Sequence, residues 1–298
     1  MIKYLRAIIC TVAAVLSVFC AVAEASVLQQ SVDSLLRDRP VRVGVAVMFR
    51  GERICSVRAD ERFPMMSVFK LHQAIAALDS LGRMSMTLDS TVKITPEMLR
   101  PDTYSPMRDR FPQGVVMTIG ELLEYSVKLS DNNACDIIFN MFGGPEVVND
   151  YIHRLGIVNT EICWTEADMH VDKNRCKDNY TTPADAAMLL DALASGAMDG
   201  KYIPWLCRIM ADTVTGADRL AAPLQSTDAV LHHKTGTGFI NPDGTVMAVN
   251  DIGFVTLPNG DYYVVAVFCA DSKESPEVTA SIISEISRLT YEYVKSRK

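Results

Sequence analysis

The chain has 298 residues, of which 49% are hydrophobic, and a formal net charge of −7 at pH 7. This length is enough for one large domain or two interleaved ones. The acidic balance argues against nucleic acid or an anionic membrane as a partner, because both are themselves negatively charged.

The first 25 residues are predicted to form a signal peptide rather than part of the fold. Two basic residues precede an apolar stretch (residues 7–19) that is too short to span a bilayer comfortably, and residues 23–25 (AEA) offer a cleavage site. Later segments lack the pattern of a membrane span. We therefore expect a periplasmic or secreted protein without stable membrane insertion after cleavage, with Cys20 leaving a lipoprotein as the alternative.

The segments that follow predict a helix, a β-hairpin and a second helix. Residues 27–37 carry apolar side chains at helical spacing. Residues 41–58 alternate in polarity and turn near Gly51, which is typical of a hairpin. The helix that follows Ser67 should end near Gly82, since glycine is a common residue at helix C-termini.

The middle of the chain is predicted to be helical, with long loops. Helices are expected over residues 118–129, 133–142, 145–156 and 182–194. Thr118 and Glu121 form a capping box at the start of the first, and Thr182 caps the last with Pro183 at its first position. Residues 157–181 are polar and irregular in pattern, and so long a connection in a compact protein is usually functional.

The last third of the chain returns to β-structure. Strands are predicted over residues 229–237, 245–257 and 261–269. Asn259 and Gly260 form a strong hairpin signal between the last two strands. Ser275 and the proline after it should open a final helix.

The order of these elements predicts an α+β fold with one discontinuous domain. The β-segments at the two ends of the chain most economically share one antiparallel sheet. Residues 26–62 and 204–298 would then form an α/β domain, and residues 63–203 an all-helical domain that includes the loop 161–181. The cleft between the two parts is the expected position of a site.

Ser67 and Lys70 lie one helical turn apart among apolar side chains. One interpretation is structural: Lys70 starts an amphipathic helix and extends its ammonium group to water. The other is catalytic: a partly desolvated lysine titrates near neutral pH and takes a proton from the neighbouring serine. A serine three residues before a lysine arises by chance about once in a chain of this length, so the pair alone decides nothing.

Two further motifs strengthen the catalytic interpretation. SDN (residues 130–132) interrupts a helical region, where a short loop can direct Ser130 and Asn132 into a cleft. KTG (residues 234–236) lies in a strand that would form an edge of the sheet. Lysines near serine hydroxyls can move a proton without a histidine–aspartate triad.

In this order and spacing, SVFK (residues 67–70), SDN and KTG resemble the motifs of the class A serine β-lactamases and the penicillin-binding proteins. The resemblance covers essentially the whole chain after the signal peptide. It implies a serine β-lactamase/penicillin-binding-protein-like fold, in which terminal helices flank an antiparallel sheet beside an all-helical domain.

A glutamate separates these two families. Residues 165–183 resemble the Ω-loop of class A enzymes, and Glu166 lies at the family's spacing from Ser130. An acyl-enzyme ester on Ser67 persists unless a water molecule beside it is deprotonated, and a carboxylate is a suitable base. Penicillin-binding proteins lack this glutamate and stay acylated. The alternative is that Glu166 is an ordinary loop carboxylate.

The resemblance implies a catalytic role for five residues. Ser67 would be the nucleophile, and its backbone N–H and that of Thr237 would form the oxyanion hole. Either Lys70 or Glu166 acting through a water molecule would activate Ser67. Ser130 would pass a proton to the β-lactam nitrogen.

The resemblance also implies the substrate contacts. Asn132 would bind the amide of the substrate side chain, and Tyr104 would form a wall of the cleft. Lys234 and Thr235, followed by Gly236 in the same motif, would bind the substrate carboxylate.

Several positions depart from the usual class A pattern. His170 occupies the place of an asparagine and would help to hold the deacylating water. Trp164 and Asn179 replace the arginine and aspartate that pin the Ω-loop. Arg219 would replace an arginine usually found on the strand after KTG, and the connection 238–246 looks longer than usual. Together these features resemble the PER-like and CfxA-like branch, which consists mostly of cephalosporinases with broadened specificity.

The sequence therefore predicts a monomeric enzyme that hydrolyses cephalosporins and penicillins and confers β-lactam resistance without a cofactor. The histidines lack metal-binding spacing, so a metal site is not expected. The six cysteines after the signal peptide could pair or remain free. A DD-peptidase (penicillin-binding protein) and a non-hydrolysing β-lactam receptor are the alternatives, and Glu166 argues against both.

Overall fold

The structure is a computed structural model that describes residues 27–297, so the predicted signal peptide lies outside the described residues. Its strands are β1 (Arg42–Phe49), β2 (Glu52–Val57), β3 (Phe63–Pro64), β4 (Thr91–Ile94), β5 (Val115–Thr118), β6 (Tyr180–Thr181), β7 (Val230–Thr237), β8 (Val246–Thr256) and β9 (Tyr262–Ser272). Its helices are α1 (residues 27–36), α2 (Phe69–Arg83), α3 (Pro106–Arg110), α4 (Ile119–Lys128), α5 (Asn132–Phe142), α6 (Gly144–Arg154), α7 (Glu166–Val171), α8 (Pro183–Ala194), α9 (Ile203–Ala211) and α10 (Pro276–Lys295).

The two ends of the chain share one antiparallel sheet of five strands, in the order β2-β1-β9-β8-β7. β1 pairs with β9 along its whole length, with Val45 opposite Val267. The two predicted hairpins, β1–β2 and β8–β9, are both present. β7, which carries the KTG motif, is the edge strand.

Both faces of the sheet are covered. Successive residues of a strand point to opposite faces, and in β1 Val45 and Val47 contribute to the core beneath α1 and α10, whereas Ala46 contributes to the core on the other side. That second core includes α8, which packs against β1, β8 and β9. Burial on both faces explains why β8 and β9 read as nearly continuous apolar runs.

The helical part is organised around α2, most of whose side chains are buried. It packs against α4, α5, α6 and α9. The predicted capping box of α4 is present, with the Thr118 hydroxyl accepting from the N–H of Glu121.

The region 63–203 is not purely helical. β4 pairs with β5, and β3 pairs with β6, each forming a two-stranded ribbon. These strands have two to four residues, which is too short for a period-2 pattern to stand out. α7 and a 3-10 segment (Lys173–Lys177) lie in the stretch that had no regular pattern.

The cysteines of residues 27–297 are all unpaired. Cys135 and Cys269 are fully buried, each in one of the two hydrophobic cores. Within the same residues, every helix is too short or too polar to cross a membrane.

Candidate active site

Ser67 lies in a short 3-10 segment (Met66–Val68) immediately before α2. Met66 has a φ of 49°, an unusual backbone conformation for a side chain of this size. Strand β7 approaches this turn closely: a Cβ on Gly236 would lie 2.5 Å from the carbonyl oxygen of Met65. Glycine at this position therefore lets the edge of the sheet lie against the turn that carries Ser67.

Lys70 is fully buried at the centre of a hydrogen-bond cluster. Its Nζ donates to Ser67 Oγ at 2.8 Å, to Glu166 Oε1 at 2.5 Å and to Asn132 Oδ1 at 2.7 Å. A fourth contact, at 3.2 Å, reaches the carbonyl oxygen of Ser130. This arrangement joins the helix α2, the SDN loop and the Ω-loop at one amine.

The protonation state of Lys70 differs from the one that the sequence suggested. Burial is the largest single influence on Lys70 and disfavours its ammonium form, but the charge and hydrogen bond of Glu166, together with the weaker influence of groups such as Asp131, exceed it, and the pKa of Lys70 is raised above its ordinary value. Lys70 therefore does not titrate near neutral pH in the free protein. The raised pKa favours the ammonium form, which donates to Ser67 Oγ.

Ser130 lies between the two buried lysines. Its backbone has a φ of 59°, which turns the chain sharply between α4 and α5. Its hydroxyl accepts from Lys234 Nζ at 2.9 Å, while its carbonyl accepts from Lys70. Burial, and then the charge of Lys70, lower the pKa of Lys234. A proton can therefore pass between the Ser130 hydroxyl and the Lys234 amine.

Asp131, which the sequence analysis did not single out, fixes the SDN loop. Its buried carboxylate accepts from the N–H of Ala134, capping α5, and from the N–H of Met107 at 2.7 Å. The N–H of Asn132 donates to the carbonyl of Tyr104 at 3.0 Å. Tyr104 is thereby held at the cleft as a residue that is 58% exposed.

The Ω-loop is pinned by an amide instead of an ion pair. Asn179 Oδ1 accepts from the N–H groups of Cys163 (2.8 Å) and Trp164 (2.9 Å), and Asn179 Nδ2 donates to the carbonyl of Trp164 (2.8 Å). The indole N–H of Trp164 donates to Asp178. These bonds close the two ends of the loop onto each other without an arginine.

Asp136 is a second carboxylate that sequence reasoning missed. Its oxygens accept from the N–H groups of Glu166 and Ala167, each at 2.9 Å, and so position the start of α7. Burial and the nearby Glu166 raise the pKa of Asp136 to about 7. The available signal was the one charged residue of helix α5.

Arg219 is buried behind β7 with most of its donors used. Nη1 donates to the carbonyls of Gly236 (3.0 Å) and Asn250 (2.9 Å), and Nη2 donates to Thr237 Oγ1 (2.7 Å). The hydroxyl of Thr235 is 2.7 Å from that of Thr215. The guanidinium therefore orients Thr237 and adds positive charge beneath the KTG strand.

We expect Arg219→Ala to raise KM by about tenfold, with a smaller fall in kcat, because it removes a charge-assisted bond and a cation near the site. Steady-state kinetics on several substrates measure the changes in KM and kcat separately, and a thermal melt checks folding. Arg219→Lys is the matched variant. It keeps the positive charge but loses the forked guanidinium, so its KM should lie between those of wild type and Arg219→Ala. Unchanged kinetics in Arg219→Ala would show that Arg219 does not serve the substrate.

His170 lies at the end of α7 on the cleft surface. Its Nε2 is 2.8 Å from Oδ2 of Asp102, which lies on the loop that precedes α3. The expected role of His170 in holding a deacylating water stays a prediction.

One cavity of about 490 Å³ brings the predicted residues together. Its walls include Ser67, Tyr104, Ser130, Asn132, Glu166, His170, Arg219, Thr235 and Thr237. Lys70 and Lys234 are fully buried beneath them. A cavity of this size and polarity suits a small molecule.

The profile of a family described as "Beta-lactamase enzyme family" matches residues 27–294. The chain belongs to this family. This β-lactamase is 38% identical to a beta-lactamase from Bacteroides uniformis over 95% of its own length and 98% of the relative. It is 33% identical to the extended-spectrum beta-lactamase PER-1 from Pseudomonas aeruginosa, over 91% of this chain and 88% of that one.

A solved structure extends the comparison to the fold. A class A beta-lactamase from Bacteroides cellulosilyticus DSM 14838 superposes with a TM-score of 0.88 at 38% identity, covering 92% of this chain and 99% of that one. The predicted fold and the predicted class are therefore confirmed. The protein is a class A serine β-lactamase, an enzyme of β-lactam hydrolysis and resistance.

Proposed function

We propose that this β-lactamase opens the amide bond of cephalosporins and penicillins through an ester on Ser67, and that Glu166 makes the reaction hydrolytic. The observation that carries the proposal is the Ser67–Lys70–Glu166 cluster, in which one ammonium contacts both the nucleophile and the carboxylate. A carboxylate beside the nucleophile is what a penicillin-binding protein or a β-lactam receptor would lack.

Acylation begins with the serine proton. Glu166, acting through a water molecule, accepts the proton of Ser67 while the Lys70 ammonium stabilises the forming alkoxide. Ser67 Oγ attacks the β-lactam carbonyl, whose oxygen is bound by the N–H groups of Ser67 and Thr237. Ser130 gives its proton to the ring nitrogen as the C–N bond breaks and regains one from Lys234. The proton held by Glu166 then replaces the one that Lys234 lost, by way of solvent, and Glu166 is again a carboxylate.

Deacylation uses the same carboxylate. Glu166 takes a proton from water, the hydroxide attacks the ester carbonyl, and the proton held by Glu166 passes to the Ser67 oxygen as the C–O bond breaks. The hydrogen bonds that Asp136 accepts from the N–H groups of residues 166 and 167 support this step, because general-base catalysis depends on close positioning.

The substrate contacts follow the polarity of the cleft. The cation and hydroxyls around Lys234 and Thr235 suit a carboxylate. Asn132 lies on the SDN loop, where its amide can bind the amide of the substrate side chain. No metal or cofactor takes part in this scheme. We also propose that the protein acts as an exported monomer, after cleavage of the segment before residue 26.

The test is to count turnovers of a chromogenic cephalosporin by the purified protein. We expect many product molecules for each protein molecule, whereas a receptor or penicillin-binding protein would release about one. A single stoichiometric burst would therefore overturn the hydrolytic assignment.

The same assay measures substrate preference. We expect kcat/KM to be higher for cephalosporins, including some with oxyimino side chains, than for benzylpenicillin. Rejection of bulky groups is steric, and the cleft is altered on both sides, by the Asn179-pinned Ω-loop and by the connection 238–246. A clear preference for benzylpenicillin without oxyimino-cephalosporin hydrolysis would contradict this specificity.

A further inference from the structure

The Ω-loop is linked to its neighbours across the mouth of the cleft by two side-chain contacts. His170 contacts Asp102 on the loop before α3, with Nε2 and Oδ2 2.8 Å apart. Lys173 contacts Phe239 on the other side, with Nζ 4.6 Å from the ring centroid. All four residues line the cavity that holds Ser67.

The Asp102–His170 contact, here called the mouth bridge, lies at the end of the cleft that would receive the substrate side chain. Thr103, the next residue after Asp102, accepts a hydrogen bond from Asn132 Nδ2 at 2.8 Å. Asn132 is the proposed contact for the side-chain amide. The carboxylate end of the cleft, around Lys234, is formed by different elements.

The mouth bridge is held only weakly. The side chains of His170 and Asp102 are 38% and 52% exposed, and exposed pairs contribute little to stability because water competes for both partners. The two residues belong to segments 68 positions apart in sequence, α7 and the loop before α3, so their contact narrows the opening between two separately anchored walls. A large side chain can displace it at modest cost, whereas a compact one passes without contact.

We infer that the mouth bridge restricts the entry of bulky acylamino side chains, and that Asp102 is a specificity-determining residue of this enzyme. The inference rests on the proposed function and deepens it. Opening the bridge should raise the relative efficiency toward large substrates. The change should be severalfold rather than a thousandfold, since the bridge is exposed.

The experiment compares kcat/KM for an oxyimino-cephalosporin with that for a cephalosporin bearing a compact side chain. Asp102→Ala removes the acceptor and should raise this ratio about three- to tenfold. Asp102→Asn keeps an oxygen that can accept from His170 and should stay near the wild-type ratio. Asp60→Ala, another exposed aspartate whose contact with Arg53 lies outside the cleft, is the control.

A double variant distinguishes specificity from loop placement. If the bridge acts as inferred, His170→Ala should shift the ratio in the same direction, and Asp102→Ala should add little to it. An equal fall for both substrates would mean that the contact only positions α7 and Glu166, and the inference would be wrong. An unchanged ratio in Asp102→Ala would also overturn it. Failure of the proposed function would appear differently, as a wild-type protein that turns over neither substrate.

Discussion

Ser67→Ala is expected to reduce the hydrolysis of every β-lactam by on the order of 10⁴-fold or more, because removing a nucleophile abolishes the covalent route. The fold should survive. Lys70, which donates to Ser67, keeps its bonds to Glu166 and Asn132, so the buried ammonium is not left without partners.

Two measurements check this expectation. Rates with a chromogenic cephalosporin give the loss of activity, and mass spectrometry of wild type quenched during turnover should show an adduct that the variant lacks. Ser80→Ala is the matched control, since Ser80 lies on the same helix α2 and its hydroxyl bonds within that helix, donating to the carbonyl of Ala76 and accepting from Arg83. A fully active Ser67→Ala beside an unmodified wild type would disprove the covalent mechanism.

The sequence predicted the elements that carry strong local signals. The helix α4, with its capping box, and the hairpin β8–β9, with its Asn-Gly turn, begin and end within a few residues of the expected positions. The β-segments near the two ends of the chain were placed in one sheet because a single shared sheet is the simplest arrangement, and β1 does pair with β9. These features depend on neighbours in sequence or on the need to bury apolar faces.

The motifs also located the site, but its electrostatics depend on contacts that sequence spacing does not reveal. Desolvation of Lys70 was evident from its apolar neighbours. The Glu166 carboxylate, 2.5 Å from the Lys70 amine, is the largest of the influences that together reverse the direction of the pKa shift, and that distance exists only in the folded chain. Asp136 and the Asp102–His170 contact escaped notice for the same reason: each joins segments that are remote in sequence.

In the Ω-loop, the sequence reveals that the usual ion pair is absent but not which contacts replace it. Trp164 and Asn179 excluded the usual ion pair, which the sequence made plain. Asn179 bonds three backbone groups at the other end of the loop. These bonds depend on the path of the backbone, and the residue type alone does not predict them. An amide has both a donor and an acceptor, so it can satisfy N–H and C=O groups where a carboxylate could satisfy only N–H.

Glu166→Ala is expected to convert the enzyme into one that acylates and then stops. Loss of the general base should slow deacylation by about 10²- to 10⁴-fold, since that is the usual contribution of such a group. An adduct with a good substrate should therefore accumulate to one equivalent in intact-protein mass spectrometry. Normal steady-state turnover by this variant would remove Glu166 from the mechanism.

Acylation should persist in this variant because Lys70 changes its state. In the wild type the Glu166 carboxylate holds the pKa of Lys70 above its ordinary value, in opposition to burial. Without the carboxylate, burial, which is the largest single influence, is opposed only by weaker ones such as the charge of Asp131, so the pKa of Lys70 falls and more of the neutral amine is present at a given pH. That amine can accept the proton of Ser67, 2.8 Å away. The rate of adduct formation should accordingly rise with pH through the lowered pKa of Lys70, and Lys70→Ala in the same background should abolish both the adduct and its pH dependence. A rate that is independent of pH, with Lys70 still present, would show that another group activates Ser67.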